Sequence, residues 1–582
     1  MGYDSDAPIE KAIEKAYRDW PRADTKGKPF QYGTAGFRMR ADLLPSVLFT
    51  VGILASLRSR KLNSNTIGVM ITASHNPAED NGVKLVDPMG EMLDQDWEYW
   101  ATGLSNQNDG ELLRNSYMHT ANKFNVDETK EARVIFARDT RPSGDILVKA
   151  LIAGLEATGT KYIDFGVATT PQLHYLVRAT NTQNQAQPYG EVSIDGYYKK
   201  MSEAFTQAMR YATPKGPVFV DCANGVGAPK LEELINYLPT GKLQIDVANV
   251  NIDDPEILNK KCGADFVKTS QTAPPNLNVK AYDRWASLDG DADRIIYWFH
   301  SEGGIFRMLD GDRIATLAAS FIGELVKKSG LEEQIKLAVV QTAYANGAAT
   351  KYVERILGLK VDVTPTGVKH LHHAAARYDI GVYFEANGHG TVLFSERALK
   401  QISKHEPQSP AQLEALDTLK ALTNLINQTV GDALSDLLLV EVVLAHKEWT
   451  VEDWLGTYTD MPNKLAKVYV NDRSTFRTIK GTAERQLESP PGMQDRLNDI
   501  MRKYKEGRCF VRASGTEDAV RVYGEATEVY DCEDMVSKVT ELIANHSSRD
   551  NEPYFHARED KRVEEVSMGL RRDPRDPPFG NS

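Results

Sequence analysis

Five stretches of this chain share one grammar: a short apolar run, an abrupt small or polar turn, then a helical pattern. They read NTIGVMITASHNP, ARVIFARDTRPSG, KYIDFGVATTPQ, GPVFVDCANGVGAPKLEEL and KLAVVQTAYANGAATKYV. Strands that alternate with helices in this way predict α/β domains. In such folds, ligands collect outside the carboxyl ends of the strands. The chemically unusual residues of this sequence stand at those ends. The chain has 582 residues, too many for one core, and at ~100–200 residues per domain about three to five domains are expected.

Bulk properties exclude several functions. Lys and Arg number 69 against 81 Asp and Glu, a net charge of −12. Such a chain repels a nucleic-acid backbone, so no nucleic-acid partner is expected. A locally basic pocket for a small anion stays compatible with it. No uninterrupted apolar run approaches the ~20 residues of a membrane span, so no membrane partner is expected. The opening MGYDSDAPIEKAIEKAYRDW is polar and helix-like, unlike a signal peptide. The cysteines are Cys222, Cys262, Cys509 and Cys532, with no CxxC pair. They read as reduced, buried thiols of a cytoplasmic protein.

ATNTQNQAQPYG (179–190) reads as a linker after a first domain, and FHSEGG (299–304) as a turn near a second boundary. DALSDLLLVEVVLAHKEW is a long apolar-periodic segment expected to bridge into a last domain. After His546 the density of charge and proline predicts a poorly ordered tail.

Five constellations carry possible chemistry. In LDGDADR (288–294), Asp289, Asp291 and Asp293 alternate, which points them one way in an extended or looping backbone. Three carboxylates so close repel one another without a cation, and dense hard oxygens suit Mg²⁺ or Ca²⁺. A solvated acidic turn is the plain alternative; the apolar flanks WASL and IIYWF weigh against it. In FVRASGTEDAVRVYGEA (510–526), Arg512, Ser514, Gly515 and Thr516 form a loop, with Arg521 on the next strand. Guanidinium forks plus loop N–H groups suit a phosphate. In YFEANGHGTVLFS (383–395), Glu385, Asn387 and His389 offer several polar groups between apolar strands, as sugar hydroxyls require. QYGTAGFRMRAD (31–42) adds Arg38 as an anion contact. Ser74, in VMITASHNPAEDNGVK (69–84), is an exposed strand-end serine without a G-x-S-x-G elbow. A cation site and two anion loops match phosphoryl transfer better than acyl transfer.

Together these stretches closely resemble the α-D-phosphohexomutase superfamily over about residues 25 to 547. TASHNP is similar to its phosphoserine loop, DGDADR to its metal loop, EANGHG to its sugar loop and RASGTED to its phosphate loop, in the family's order. EANGHG, TPTGVKHLHHAA (364–375) and NKKCGADFVKT (259–269) resemble the eukaryotic phosphoacetylglucosamine mutase type. The resemblance implies an α/β fold of four domains around a central cleft, three related mixed-sheet α/β domains plus a smaller C-terminal α+β domain. The expected bounds are 1–180 for the phosphoserine-loop domain, 181–300 for the metal-binding-loop domain and 301–445 for the sugar-binding-loop domain. The phosphate-binding domain is expected at 446–547, with a tail at 548–582.

Matched position by position, the resemblance implies that Ser74 is phosphorylated and that a Ser74 phosphate oxygen, Asp289, Asp291 and Asp293 hold Mg²⁺. Arg38, His75 and Lys84 would surround the reacting phosphoryl, with Lys84 and His75 the candidates for moving a proton. Thr366, Gly367, Glu385, Ala386, Asn387 and His389 would lie along the sugar. Arg512, Ala513, Ser514, Gly515, Thr516 and Arg521 would grip the phosphate that is not reacting. The implied partner is a small-molecule phosphosugar. The implied reaction interconverts N-acetylglucosamine 6-phosphate and 1-phosphate through a sugar 1,6-bisphosphate, feeding UDP-N-acetylglucosamine synthesis. A mutase for glucose, mannose or glucosamine phosphate, or a non-catalytic phosphosugar-binding protein, remain the alternatives.

Overall fold

The computed structural model describes residues 8–514, 518–547 and 563–566. Its first sheet holds β1 (Phe37–Arg40), β2 (Ile67–Ile71), β3 (Asp80–Val86), β4 (Arg133–Arg138) and β5 (Lys161–Val167), in the order β1-β3-β2-β4-β5. β2 runs parallel to β4 and antiparallel to β3. Every residue of β2 is buried, which is why IGVMI reads as continuous rather than alternating apolar sequence.

The second sheet holds β6 (Val218–Asp221), β7 (Ile245–Ala248), β8 (Arg284–Leu288), β9 (Ile295–His300) and β10 (Phe306–Leu309), in the order β10-β9-β8-β6-β7. The third holds β11 (Leu337–Thr342), β12 (Lys360–Thr364), β13 (Ile380–Phe384) and β14 (Gly390–Phe394), in the order β12-β11-β13-β14. The construction repeats that of the first sheet. β8 is parallel to β6 and antiparallel to β9. β13 is parallel to β11 and antiparallel to β14. In each sheet, the strand where parallel pairing gives way to a hairpin carries one motif at its carboxyl end. The serine loop joins β2 to β3, the metal loop β8 to β9 and the sugar loop β13 to β14.

The last sheet comprises β15 (Asn463–Tyr469), β18 (Arg508–Ala513), β19 (Ala519–Glu525) and β20 (Val563–Val566), in the order β18-β19-β15-β20. A separate hairpin pairs β16 (Arg477–Thr478) with β17 (Leu487–Ser489). The phosphate loop joins β18 to β19, so it too is a hairpin connection. Its Gly515 and Thr516 lie outside the described residues.

Three stretches marked in the sequence take definite places. The turn at 299–304 closes a hairpin: β10 pairs back on β9 with Phe306 opposite His300 and Leu309 opposite Tyr297, so the second sheet runs on to Leu309. Met308 and Phe306 pack with Trp285 and Trp298, so apolar burial carries the second sheet beyond the turn. The segment expected to bridge into the last domain is the helix Ala433–Lys447, buried through most of its length in the core shared by the second and third sheets. Within the expected tail, Val563–Val566 pairs antiparallel with β15, which covers an otherwise open sheet edge. The remaining tail residues lie outside the described ones.

Candidate active site

Ser74 sits in the loop after β2 with a φ of +53°, a conformation that costs a non-glycine residue about 1–3 kcal/mol. The loop is held against that cost. Arg141, its side chain fully buried, donates to the carbonyl oxygens of Ser74, Asn76, Pro77 and Asp80 and to Asp139 Oδ2. Asn259 Nδ2 donates to the carbonyls of Ser74 and Asn76. Hydrogen bonds to a charged group contribute about 1.5–3 kcal/mol each, so the clamp outweighs the strain.

The metal loop meets the serine loop directly. Ser74 Oγ donates to Asp289 Oδ2 at 2.7 Å. A Cβ on Gly290 would stand 2.5 Å from the Ser74 carbonyl oxygen, so the approach requires glycine. Asp289 Oδ1 accepts the backbone N–H groups of Asp293 and Arg294. Asp291 Oδ2 accepts from Thr170 Oγ1 at 2.6 Å, and Lys84 Nζ lies 3.3 Å from both Asp291 Oδ2 and Asp293 Oδ2. One oxygen of each of the three aspartates falls within 4.8 Å of the others. Among the described residues, Asp291 Oδ1 is buried with no hydrogen-bond partner, and Asp293 Oδ1 has only Arg294 Nε at 3.8 Å and His389 Nδ1 at 3.5 Å. Buried unpaired carboxylate oxygens are costly unless something cationic meets them, and hard oxygens in this number fit Mg²⁺. Burial, with Asp291 and Asp293 beside it, pushes the Asp289 carboxyl well above the carboxylate range. Burial acts the same way on Asp293, but Lys84 and His389 hold that carboxyl well below it.

Cations ring this contact. Arg38 and Arg294 are partly buried, and each has a buried Nε without a hydrogen-bond partner among the described residues. Unsatisfied donors of this kind suit an anionic phosphoryl group. His75 Nδ1 is 3.4 Å from Ser74 Oγ. Burial, then Arg294 and Arg38, lower the His75 pKa to about 2, so its imidazole is neutral.

The sugar loop closes on the metal loop from the third sheet. A Cβ on Gly388 would stand 2.0 Å from the Ile295 carbonyl oxygen. His389 Nδ1 bonds the Asp293 carbonyl at 2.8 Å. His389 therefore ties the sugar loop to the metal loop through Nδ1. The sequence could not show this, because the imidazole's direction depends on a loop 96 residues away.

Glu385, Ala386 and Asn387 line a cavity of about 220 Å³ together with Thr366, Arg512 and Arg521. Arg512 and Arg521 stand directly opposite each other on β18 and β19. Two facing cations repel unless an anion joins them. Arg512 Nε also donates to Tyr344 Oη at 2.9 Å. Among the described residues, Ser514 Oγ and Thr366 Oγ1 are buried without a partner. Gly367, with a φ of +123°, precedes the helix Val368–Ala375. Ala513 ends β18. Ser74 and the three aspartates are outside this cavity's lining; Arg294, sensitive to the charges of both Asp289 and Glu385, lies between the two regions.

Four contributing residues were not singled out from sequence: Arg141, Thr170, Asn259 and Arg294. Each belongs to a marked stretch: ARDTRPSG, KYIDFGVATTPQ, NKKCGADFVKT and LDGDADR. The available signal was a polar residue just beyond an apolar run.

Comparison with known proteins agrees with this architecture. The profile "Phosphoacetylglucosamine mutase AMG1, domain III" matches residues 310–449, and its domain II counterpart matches 180–296. Phosphoglucomutase/phosphomannomutase profiles match the alpha/beta/alpha domain I at 53–109 and 102–187, and the C-terminal domain at 467–542. The phosphoacetylglucosamine mutase of Candida albicans is 46% identical over 549 residues, 92% of this chain and 99% of its own length. The human phosphoacetylglucosamine mutase is 47% identical over 527 residues, 89% of this chain and 94% of its own. A crystal structure of Aspergillus fumigatus N-acetylphosphoglucosamine mutase in complex with GlcNAc-6P and magnesium superposes with a TM-score of 0.89 and 55% identity, covering 93% of this chain and 100% of that one. The chain belongs to the phosphoacetylglucosamine mutase family of the α-D-phosphohexomutases.

Proposed function

We propose that this protein interconverts N-acetylglucosamine 6-phosphate and N-acetylglucosamine 1-phosphate, with Ser74 as phosphoryl donor and acceptor. The contact that carries this reading is the 2.7 Å hydrogen bond from Ser74 Oγ to Asp289, inside a cluster of buried carboxylates and arginines. An unreactive serine does not need a strained backbone, an arginine clamp and a carboxylate cage. The substrate class follows from the family. A related Aspergillus enzyme has been crystallised with GlcNAc-6P and magnesium, and a serine-to-alanine variant with glucose 1,6-bisphosphate.

In the proposed cycle, the phosphoryl on Ser74 passes to O1 of the 6-phosphate, forming the 1,6-bisphosphate. That intermediate reorients, and its 6-phosphoryl returns to Ser74, releasing the 1-phosphate. Asp289, Asp291 and Asp293, with an oxygen of the phosphorylated Ser74, would hold Mg²⁺. The ion would offset charge on the transferring group. Arg38 and Arg294 face the same group, and Arg141 fixes the serine loop. The acidic imidazolium of His75 makes that side chain a poor proton carrier. Lys84, an ammonium held between Asp291 and Asp293, would take the substrate hydroxyl's proton only after passing its own to one of those carboxylates. Arg512 and Arg521 hold the second phosphate in either pose, because a phosphate presents the same oxygens at C1 and C6. Glu385 and Asn387 contact the ring hydroxyls.

The four free, buried cysteines fit a reducing, cytoplasmic location. Incubation with N-acetylglucosamine 6-phosphate, Mg²⁺ and a trace of bisphosphate, followed by ³¹P NMR, tests the reading. Growth of the 1-phosphate resonance is expected, faster than with glucose 6-phosphate. Faster conversion of glucose 6-phosphate would favour a different hexose mutase. No conversion of any phosphosugar would mean a binding protein.

A further inference from the structure

Part of the cavity wall is acidic although its ligand is an anion. Asp310, Asp312 and Asp460 all line it. Two of them are matched by buried cations. Lys268 Nζ meets Asp310 Oδ2 at 2.5 Å, and Arg313 Nη2 meets Asp460 Oδ2 at 3.1 Å. Among the described residues, no cation stands within ion-pair distance of Asp312. Its Oδ2 accepts one neutral donor, the Asn346 N–H, at 2.8 Å. That leaves Oδ1 for the cavity.

The groups that face Asp312 come from several elements. Asp310 and Arg313 share the start of its helix, Gly311–Lys328. Lys268 comes from the helix Gly263–Ser270, Tyr458 and Asp460 from the segment before β15, and Tyr523 from β19. Three carboxylates share two cations. A phosphate dianion arriving at Arg512 and Arg521 adds negative charge to the same cavity. A third ionised carboxylate there would be desolvated, lack a cation and repel the ligand.

We propose that Asp312 meets the bound phosphosugar as a neutral carboxylic acid that donates a hydrogen bond to an uncharged sugar oxygen. This inference rests on the phosphosugar reading above. Burial, then the neighbouring Asp310, push the Asp312 carboxyl up to about 8, so the acid form prevails at neutral pH. Asp312 is thus a binding residue whose usefulness ends when it ionises. Asparagine reproduces its neutral form: the amide oxygen accepts from Asn346, and the NH₂ faces the cavity.

The test is KM and kcat for N-acetylglucosamine 6-phosphate from pH 7 to 9.5, a range above the ~6 second pKa of a phosphate ester. Wild type, Asp312→Asn and Asp312→Ala are compared, with melting temperature as the check on folding. In the wild type, KM should rise about tenfold between pH 7 and pH 9, as the competent fraction falls. Asp312→Ala should raise KM several-fold at pH 7. Asp312→Asn should recover most of that loss and abolish the rise above pH 8. A wild-type KM that stays flat overturns the inference. So does an asparagine variant that keeps the wild-type rise, or one as impaired at pH 7 as the alanine variant. A wild type that converts no N-acetylglucosamine 6-phosphate at any pH overturns the proposed function instead.

Discussion

Ser74 and Ser514 both belong to hairpin connections, yet the two hairpins are held in opposite ways. The serine loop is fixed before any ligand arrives: Arg141 and Asn259 satisfy its carbonyls, and Gly290 lets the metal loop touch it. The described residues at the phosphate end are held differently. Arg512 and Arg521 face each other as like charges, and Ser514 Oγ has no partner among the described residues. A reacting phosphoryl needs fixed donors and a fixed nucleophile, because reorganisation during transfer adds to the barrier. A phosphate that must be held in two sugar orientations needs charge and adaptable donors more than one rigid pose. The difference between the loops thus matches a difference in task.

Removing the nucleophile attacks the fixed end most directly. Ser74→Ala should cut turnover by roughly 10⁴-fold or more, the scale of losing a covalent nucleophile. The fold should survive, since the hydroxyl contributes little packing. Steady-state kinetics with a melting curve checks both. Activity within tenfold of wild type would mean that Ser74 is not the phosphoryl carrier.

Asp291→Asn should lower kcat by about 100-fold or more and raise the Mg²⁺ concentration needed for half activity, because even outer partners of a metal cost about 10–100-fold. One of three mutually repelling carboxylates is removed, so the metal-free melting temperature should be no lower. An unchanged Mg²⁺ titration would place the cation elsewhere.

Arg141→Lys sharpens the comparison, since it touches no substrate. A single ammonium cannot reach four carbonyls and a carboxylate, so the serine loop should lose its geometry. kcat should fall about 100-fold, the cost of a misplacement near 1 Å, while KM moves little. A change in KM alone would show that the clamp serves binding and that the serine end is not preorganised.

The phosphate end should respond in affinity. Arg521→Ala should weaken every phosphosugar alike, by ~1.5–3 kcal/mol. Asn387→Ala should change the ratio of kcat/KM between N-acetylglucosamine 6-phosphate and glucose 6-phosphate. If Arg521→Ala alters that ratio and Asn387→Ala leaves it fixed, the two loops have exchanged roles.

The residues that do chemistry were legible because they break a pattern. Ser74, the three aspartates and Glu385 follow apolar runs, and a strand's carboxyl end is where an α/β fold gathers a ligand site. The residues that hold them were not. Arg141 carries the serine loop across 67 residues, and Thr170 reaches Asp291 across 121. The bond from the His389 ring to the metal loop, 96 residues away, was equally hidden. The hairpin at Phe306–Leu309 stayed hidden because GG after an apolar strand marks a turn without saying whether the chain returns.

Sequence by itself determined the α/β class, the four loops, their order and the family they resemble. Those follow from local periodicity and residue type, which each short stretch carries within itself. Tertiary structure decided which loops touch, which carboxylate oxygens stay unpaired and which aspartate lacks a cation. Hydrogen bonds and charge pairs act over a few ångströms in space, between segments that the chain separates by tens to hundreds of residues. Only the packing of the four sheets against one another, with glycines at close approaches, converts the four motifs into one site.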